Sequence, residues 1–289
     1  MSLVVAGDVM CDVVAALPGA LAHGSDTPAP IRLYGGGSAA NVAAWAARAG
    51  AEVTLVARVG DDALGCAAVE ELEAAGVRLR VAVDPRRPTG TCIVLVHPGG
   101  ERTMVPDAGA GDALEIAELP PGRHLHLPAY ALLRPGSRAA ARHALALALE
   151  RGMTVSVDPS SAAPLAAAGA RAFMEWVKGA GLLLPNAAEA RVLTGLEDPE
   201  AAARALAGPR EVVVKLGAAG ALWTDGRDVV RAAAEPATVV DTTGAGDAFA
   251  AGLLAARLEG ADPAAALAAG CRLGALAVAR VGARPAPRN

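Results

Sequence analysis

The 289-residue sequence predicts a three-layer α/β fold: a mostly parallel central sheet with helices on both faces and a small β-sheet lid. Three observations predict it. Short apolar or β-branched runs alternate with helical stretches of ten or more residues, as βαβ units do. Strands without intervening helices fall around 13–34 and 91–106, which suits a small sheet inserted beside the main one. Glycine clusters at 35–37 and 244–246 each open a helix. We expect one domain over 1–289, with the lid formed by 13–34 and 91–106 and hinged near Gly35–Gly37.

Composition narrows the classes. Hydrophobic residues make up 53% and charged residues 19%, so the chain is globular. The net charge of -4, with no basic stripe and 2% aromatics, argues against nucleic acid as a partner. Mean hydropathy is +0.37, yet charges, glycines and prolines interrupt each apolar run before a spanning length, so no membrane is expected. The N-terminus has no basic segment and reads as a buried strand. Cys11, Cys66, Cys92 and Cys271 form no CxxC pair, which leaves a cytoplasmic location as the default. Lys178 and Lys215 are the only lysines among 26 basic residues.

Along the chain, 2–7 is a strand and 13–33 an irregular stretch with room for short exposed strands. A helix is expected over 38–49 with Ser38 as N-cap, then a strand over 52–58 and a helix over 63–75. Strands follow at 77–83, 91–97 and 102–105, the last two joined through Gly99-Gly100. After a strand at 124–127 come a helix over 137–151, a strand over 154–157 and one helix over 162–178. The rest reads as strand 182–184, helices 187–193 and 200–207, and strand 211–215. A hairpin of 221–224 and 228–231 turns at Asp225-Gly226, and helices at 246–258 and 263–280 close the chain.

The most informative segment is Asp241-Thr242-Thr243-Gly244-Ala245-Gly246-Asp247-Ala248-Phe249. A glycine loop opening a long apolar helix presents unpaired N–H groups, and with the helix dipole these form an anion site. Asp247 sits inside it. It either stabilises the helix start or takes a proton from a hydroxyl while the amides hold a phosphoryl group.

This segment resembles the C-terminal signature of the ribokinase-like (PfkB-type) carbohydrate kinase family. Gly35-Gly36-Gly37-Ser38-Ala39-Ala40-Asn41 resembles its N-terminal signature. Val59-Gly60-Asp61-Asp62, Asn186-Ala187-Ala188-Glu189, Val214-Lys215-Leu216-Gly217 and Val281-Gly282-Ala283 are similar to further family stretches, in order along the chain. The resemblance implies a ribokinase-like fold and an ATP-dependent sugar kinase, in which ATP and Mg²⁺ phosphorylate a hydroxyl of a small carbohydrate. It implies Asp247 as base and Gly244, Ala245 and Gly246 as the anion hole. Asp8, Asp12, Gly36, Gly37 and Asn41 match sugar-binding positions. Asn186, Glu189, Lys215, Gly217 and Gly220 match nucleotide-binding positions, with Glu189 reaching Mg²⁺ through water. Asp241, Thr243 and Gly282 match a monovalent-cation site, potassium being the ion implied.

Each role has a plainer alternative. Asn186 and Glu189 suit a helix start with a solvated glutamate. Asp241 and Thr243 suit a side-chain turn. Lys215 suits a solvated strand end, and Asp12 suits a solvent-facing lid residue. Arg102, in the expected lid strand, could reach a charged acceptor or simply be exposed. His124 and His126 share a strand face but lack a third ligand, so they read as ordinary histidines. Gly109-Ala110-Gly111-Asp112 echoes the signature and reads as a decoy. Asp158-Pro159-Ser160-Ser161 departs from the family, where many members carry an Asn and an Arg after the Asp-Pro, so a basic contact is missing here.

A nucleoside kinase on the same fold and a catalytically inactive sugar-binding regulator are the alternatives. Scarce aromatics, with Tyr34 alone near the lid, favour a sugar over a nucleoside. No G-x-G-x-x-G follows the first strand and no G-x-x-x-x-G-K-[ST] occurs, which disfavours dinucleotide and P-loop enzymes. A homodimer pairing through the lids is expected from their open edges.

Overall fold

The structure is a computed structural model that describes residues 2–99 and 101–286. Gly100, in the expected Gly99-Gly100 turn, lies outside the described residues. In chain order the elements are β1 (Ser2–Ala6), β2 (Met10–Ala16), β3 (Ile31–Gly36), α1 (Ser38–Arg48), β4 (Glu52–Gly60), α2 (Ala63–Ala74), β5 (Arg78–Asp84), β6 (Gly90–Val96) and β7 (Arg102–Asp107). There follow β8 (His124–Pro128), α3 (Tyr130–Leu133), α4 (Pro135–Glu150), β9 (Thr154–Asp158), α5 (Ala162–Ala168), α6 (Ala170–Trp176), β10 (Leu182–Leu183), α7 (Ala187–Thr194) and α8 (Pro199–Ala207). The chain ends in β11 (Glu211–Lys215), β12 (Ala221–Thr224), β13 (Val229–Ala232), α9 (Ala245–Leu258) and α10 (Pro263–Val278).

Nine strands form the main sheet in the order β13-β12-β11-β10-β9-β8-β1-β4-β5. Its neighbours are parallel from β5 to β11, and β12 and β13 run antiparallel at one edge. β1 lies inside and is buried on both faces. Leu3 and Val5 face the core under α1, α2, α9 and α10, while Val4 and Ala6 face the core under α3 to α6. A third cluster packs α7 and α8 on β11 and β12.

The second sheet has the order β3-β2-β6-β7. It begins at Met10, earlier than the expected 13, because Met10 pairs with both Gly36 and Gly90 at the root of the sheet. The expected single helix over 162–178 is two helices, α5 and α6. Gly169 breaks it with φ of 86°, a left-handed value that a helix interior excludes. The expected Ser38 cap is also corrected. Gly37 is the N-cap residue of α1, and Ser38 is its first helical residue.

The echo at 109–113 is a single 3-10 turn, with Asp112 3.9 Å from Arg87. His124 bonds Thr154 and Ser156 through its two ring nitrogens, and His126 bonds Ser156. Burial pushes both imidazoles down to a pKa of about 3, so they are neutral core groups.

Candidate active site

The N-termini of α1 and α9 converge beyond the carboxyl end of β1, where open α/β sheets hold ligands. Asp247, in the first turn of α9, accepts a hydrogen bond from the Ser38 hydroxyl at 2.6 Å on one oxygen and from Asn41 Nδ2 at 2.8 Å on the other. Asp247 is half-buried. Burial pushes its pKa up to about 7, against the opposing pull of the Ser38 and Asn41 bonds. Asn41 Oδ1 is buried with no partner, an unmet acceptor beside the base that a substrate hydroxyl can satisfy.

Asp8 follows β1 and is buried. Its carboxylate accepts from the Ala39 N–H at 3.2 Å, and its carbonyl accepts from the Ala40 N–H at the same distance. Asp12, on β2, is also buried and not solvent-facing. Burial is the largest cause that raises its pKa to about 6, with the charge of Arg284 opposing. A Cβ at Gly36 would run into the Asp12 carboxylate and displace it. Gly37 adopts φ of 88°, and a Cβ there would lie 2.7 Å from the Asp8 carbonyl. Asp8, Asp12, Gly36, Gly37 and Asn41 are thus brought together.

Gly244 starts α9 in the left-handed conformation with φ of 73°. The Ala245 N–H is taken by the Thr242 carbonyl at 3.3 Å. Among the described residues, the N–H groups of Gly244, Gly246 and Asp247 have no hydrogen-bond acceptor. These three amides, rather than that of Ala245, are open to an anion. The Lys215 ammonium stands beside them, 3.5 Å from where a Gly246 Cβ would sit.

Lys215 is not a solvated lysine. It ends β11 and pairs with Asp158, which ends β9. Burial opposes its charge, but Asp158 and Glu189 outweigh burial and hold its pKa above the usual value. Asn186 and Glu189 form a reciprocal capping box at the start of α7, as the plainer alternative held for Asn186. Glu189 is nevertheless 1% exposed, and burial raises its pKa despite Lys215. Lys215, Gly217, Gly220, Ala245 and Gly246 line one cavity of about 510 Å³. Phe249, Gly274 and Val278 complete an apolar wall that the sequence did not reveal, because it comes from distant helices. The shape and lining suit a nucleotide.

Asp241, Thr243 and Gly282 also meet, as a hydrogen-bonded turn. The Asp241 carboxylate accepts from the Thr243 N–H at 2.9 Å, the Thr243 hydroxyl at 2.5 Å and the Gly282 N–H at 3.0 Å. Arg102 reaches across from the lid. Its guanidinium donates to the Thr243 hydroxyl at 2.5 Å and lies 3.8 Å from Asp241. A protein cation therefore already stands at this carboxylate. Arg102 is only 22% exposed, contrary to the solvated reading.

Sequence reasoning missed the bond of Ser38 to Asp247, the Lys215–Asp158 pair, and two groups on the wall opposite α1. Tyr130 is one. Arg134 is the other, its guanidinium 3.7 Å from Asp8 and stacked 5.4 Å from the Tyr130 ring centre. Ser160, at the departure from the family pattern, is the only described non-glycine residue with positive φ, at 71°. That conformation is easier for asparagine or glycine than for serine.

The full chain, residues 1–289, matches the model of the pfkB family carbohydrate kinases. It is 34% identical to a 2-dehydro-3-deoxygluconokinase from Thermoproteus tenax, an alignment covering 100% of this chain and 93% of that one. It is 36% identical to an ATP-dependent ribose-1-phosphate kinase from Halopiger xanaduensis, covering 89% and 84%. The crystal structure of an adenosine kinase from Sinorhizobium meliloti superimposes with a TM-score of 0.90 at 24% identity, covering 98% and 95%, which is a likeness of fold. An activated carboxylate beside free amides, a nucleotide-sized cavity and these relatives converge: the chain belongs to the PfkB family of carbohydrate kinases and is an ATP-dependent sugar kinase.

Proposed function

We propose that Asp247 is the general base and that the Gly244, Gly246 and Asp247 amides, with Lys215, hold the transferring phosphoryl group. The observation that carries this is the Asp247 carboxyl, fixed by Ser38 and Asn41 beside three unpaired amides. Asp8, Asp12 and Asn41 orient the acceptor by hydrogen bonds to its hydroxyls, with Gly36 and Gly37 giving close approach. Asp247 takes the proton of the hydroxyl as its oxygen attacks the γ-phosphorus of ATP. The amides and Lys215 stabilise the charge on the equatorial oxygens, and ADP leaves.

Asp158 and Glu189 supply hard oxygen donors that suit Mg²⁺ bound through water. Mg²⁺ would there neutralise phosphate charge. No step is assigned to potassium, since Arg102 supplies the charge at Asp241. Tyr34 packs against Gly282, with a Cβ there only 2.9 Å from its ring, so it is no free platform for a nucleoside base. That favours a sugar.

The lid excludes water when it closes, and its outer face pairs two copies of the chain. Four free cysteines fit a cytoplasmic enzyme. The test is ADP release from ATP·Mg²⁺ across a panel of sugars and nucleosides, for wild type and Asp247→Asn. Turnover with a sugar, lowered by about 10³-fold or more in the variant, is expected. Equal turnover in the two proteins would remove Asp247 from the mechanism, and turnover with nucleosides alone would replace the sugar reading.

A further inference from the structure

Arg134 has donors with nothing to bond. It sits between α3 and α4, its side chain 19% exposed, and among the described residues its one ion-pair partner is Asp8, at 3.7 Å, beyond hydrogen-bond distance. No hydrogen bond from its guanidinium to any described residue is present. The guanidinium carbon lies over the Tyr130 ring, 5.4 Å from its centre, a cation–π contact that uses none of its N–H groups in a hydrogen bond. The guanidinium is half-buried, and among the described residues its N–H groups meet no hydrogen-bond acceptor. Its planar fork matches a carboxylate or a phosphate.

Arg134 also joins two spaces. One is the acceptor site at Asp8. The other is an open cavity of about 640 Å³ that it lines with Arg87, Asp107, Ala108, Gly109 and Asp112. The two are neighbours. The Ala108 carbonyl lies 2.7 Å from where a Gly90 Cβ would sit, and Gly90 pairs with Met10, two residues after Asp8. Asp112 lies 3.9 Å from Arg87, and Asp107 accepts the Gly109 N–H at 3.0 Å. Arg134 is the cation of this lining that also stands at Asp8.

We propose that the acceptor is an anionic sugar, carrying a carboxylate or phosphate at the end remote from the phosphorylated hydroxyl, and that Arg134 binds that group. This rests on the kinase reading and adds its substrate class. A neutral sugar would leave the guanidinium unbonded. An anion would bond its free edge while Asp8 is released to the sugar hydroxyls.

The experiment uses matched acceptors with the full chain: D-gluconate against D-glucose, and ribose 1-phosphate against D-ribose. ADP formation is measured for wild type, Arg134→Leu and Arg134→Lys, and binding of the same four compounds is measured by calorimetry without ATP. We expect wild type to prefer one anionic member over its neutral partner by about 10- to 100-fold in kcat/KM, the worth of a charged hydrogen bond. Arg134→Leu should erase that preference, mainly through KM, and Arg134→Lys should restore part of it. The pair that responds tells carboxylate from phosphate.

An equal or unchanged preference in Arg134→Leu, with turnover intact, overturns the anion site and leaves the kinase standing. Anion binding that Arg134→Leu abolishes, with no turnover of any acceptor, keeps the site and overturns the kinase. If neither anion binds wild type, the proposal fails. Should Arg134→Leu not fold, as judged by circular dichroism, Arg134→Gln takes its place.

Discussion

Asp247 is both the most useful and the least comfortable residue of the site. Its pKa of about 7 in the fold lies above the usual aspartate value near 3.9. A base must be ionised to act, so kcat/KM should rise with pH along a limb centred near 7 and level off above it. Ser38→Ala removes a bond that favours the carboxylate, so the limb should move up by roughly one pH unit. A limb that stays in place would mean that Ser38 does not tune the base. For stability the sign is opposite. A raised acid pKa means the fold binds the proton more tightly than the unfolded chain does, so stability falls as pH rises from about 4 to 7. Asp247→Asn should therefore melt above wild type at pH 8 while losing activity, and the gap should close toward pH 4. Asn41, with its unmatched Oδ1, can turn its amide to suit the new side chain.

The proposed chemistry lies at two helix starts, and their glycines are set by close packing. A Cβ on Gly244 would lie 2.6 Å from the Ala283 carbonyl, which also accepts the Trp45 indole N–H of α1 at 2.8 Å. Gly244→Ala thus strains a left-handed residue and displaces the segment that ties α9 to α1. A loss on the order of 1–3 kcal/mol in unfolding free energy is expected, with kcat falling along with it. Unchanged denaturant midpoints would show that the loop relaxes freely. These glycine turns were legible in the sequence because a strand, a glycine cluster and an apolar helix are local signals. Most strands and helices were legible for the same reason. The helix expected over 162–178 was not, because only tertiary packing selects the left-handed Gly169 that splits it. The contacts that complete the site were also out of reach. Ser38 meets Asp247 across 209 residues and Lys215 meets Asp158 across 57, and no local pattern encodes such pairs. Arg102 read as exposed or as reaching a charged acceptor, and Arg134 carried no local signal in a chain rich in arginines.

The lid joins these pieces to the whole molecule, because its two faces differ. On the inner face Asp12 and Cys92 point toward the site, and Arg102 reaches the turn at Asp241 and Thr243. Removing that guanidinium frees the Asp241 carboxylate for another cation. Wild type should turn over at similar rates in potassium and sodium salts, and Arg102→Ala should be slower and gain a potassium response. Strong potassium activation of wild type would show that the ion, not Arg102, charges this turn. On the outer face the strand register aligns Leu33, Val13, Ile93 and Val105 in one row. Leu33 is 60%, Ile93 49% and Val105 56% exposed, an apolar row that water does not favour. A second copy presenting the same row gives a self-complementary cover with two-fold symmetry. Light scattering should then give a dimer mass for wild type, and Ile93→Lys should shift it toward monomer by burying a charge in the seam. The inner face, and with it Asp12 and Arg102, is untouched by that change, so monomers should keep the base limb near pH 7. A monomer mass for wild type at micromolar concentration would leave the row uncovered and remove pairing from the account of how the lid is held.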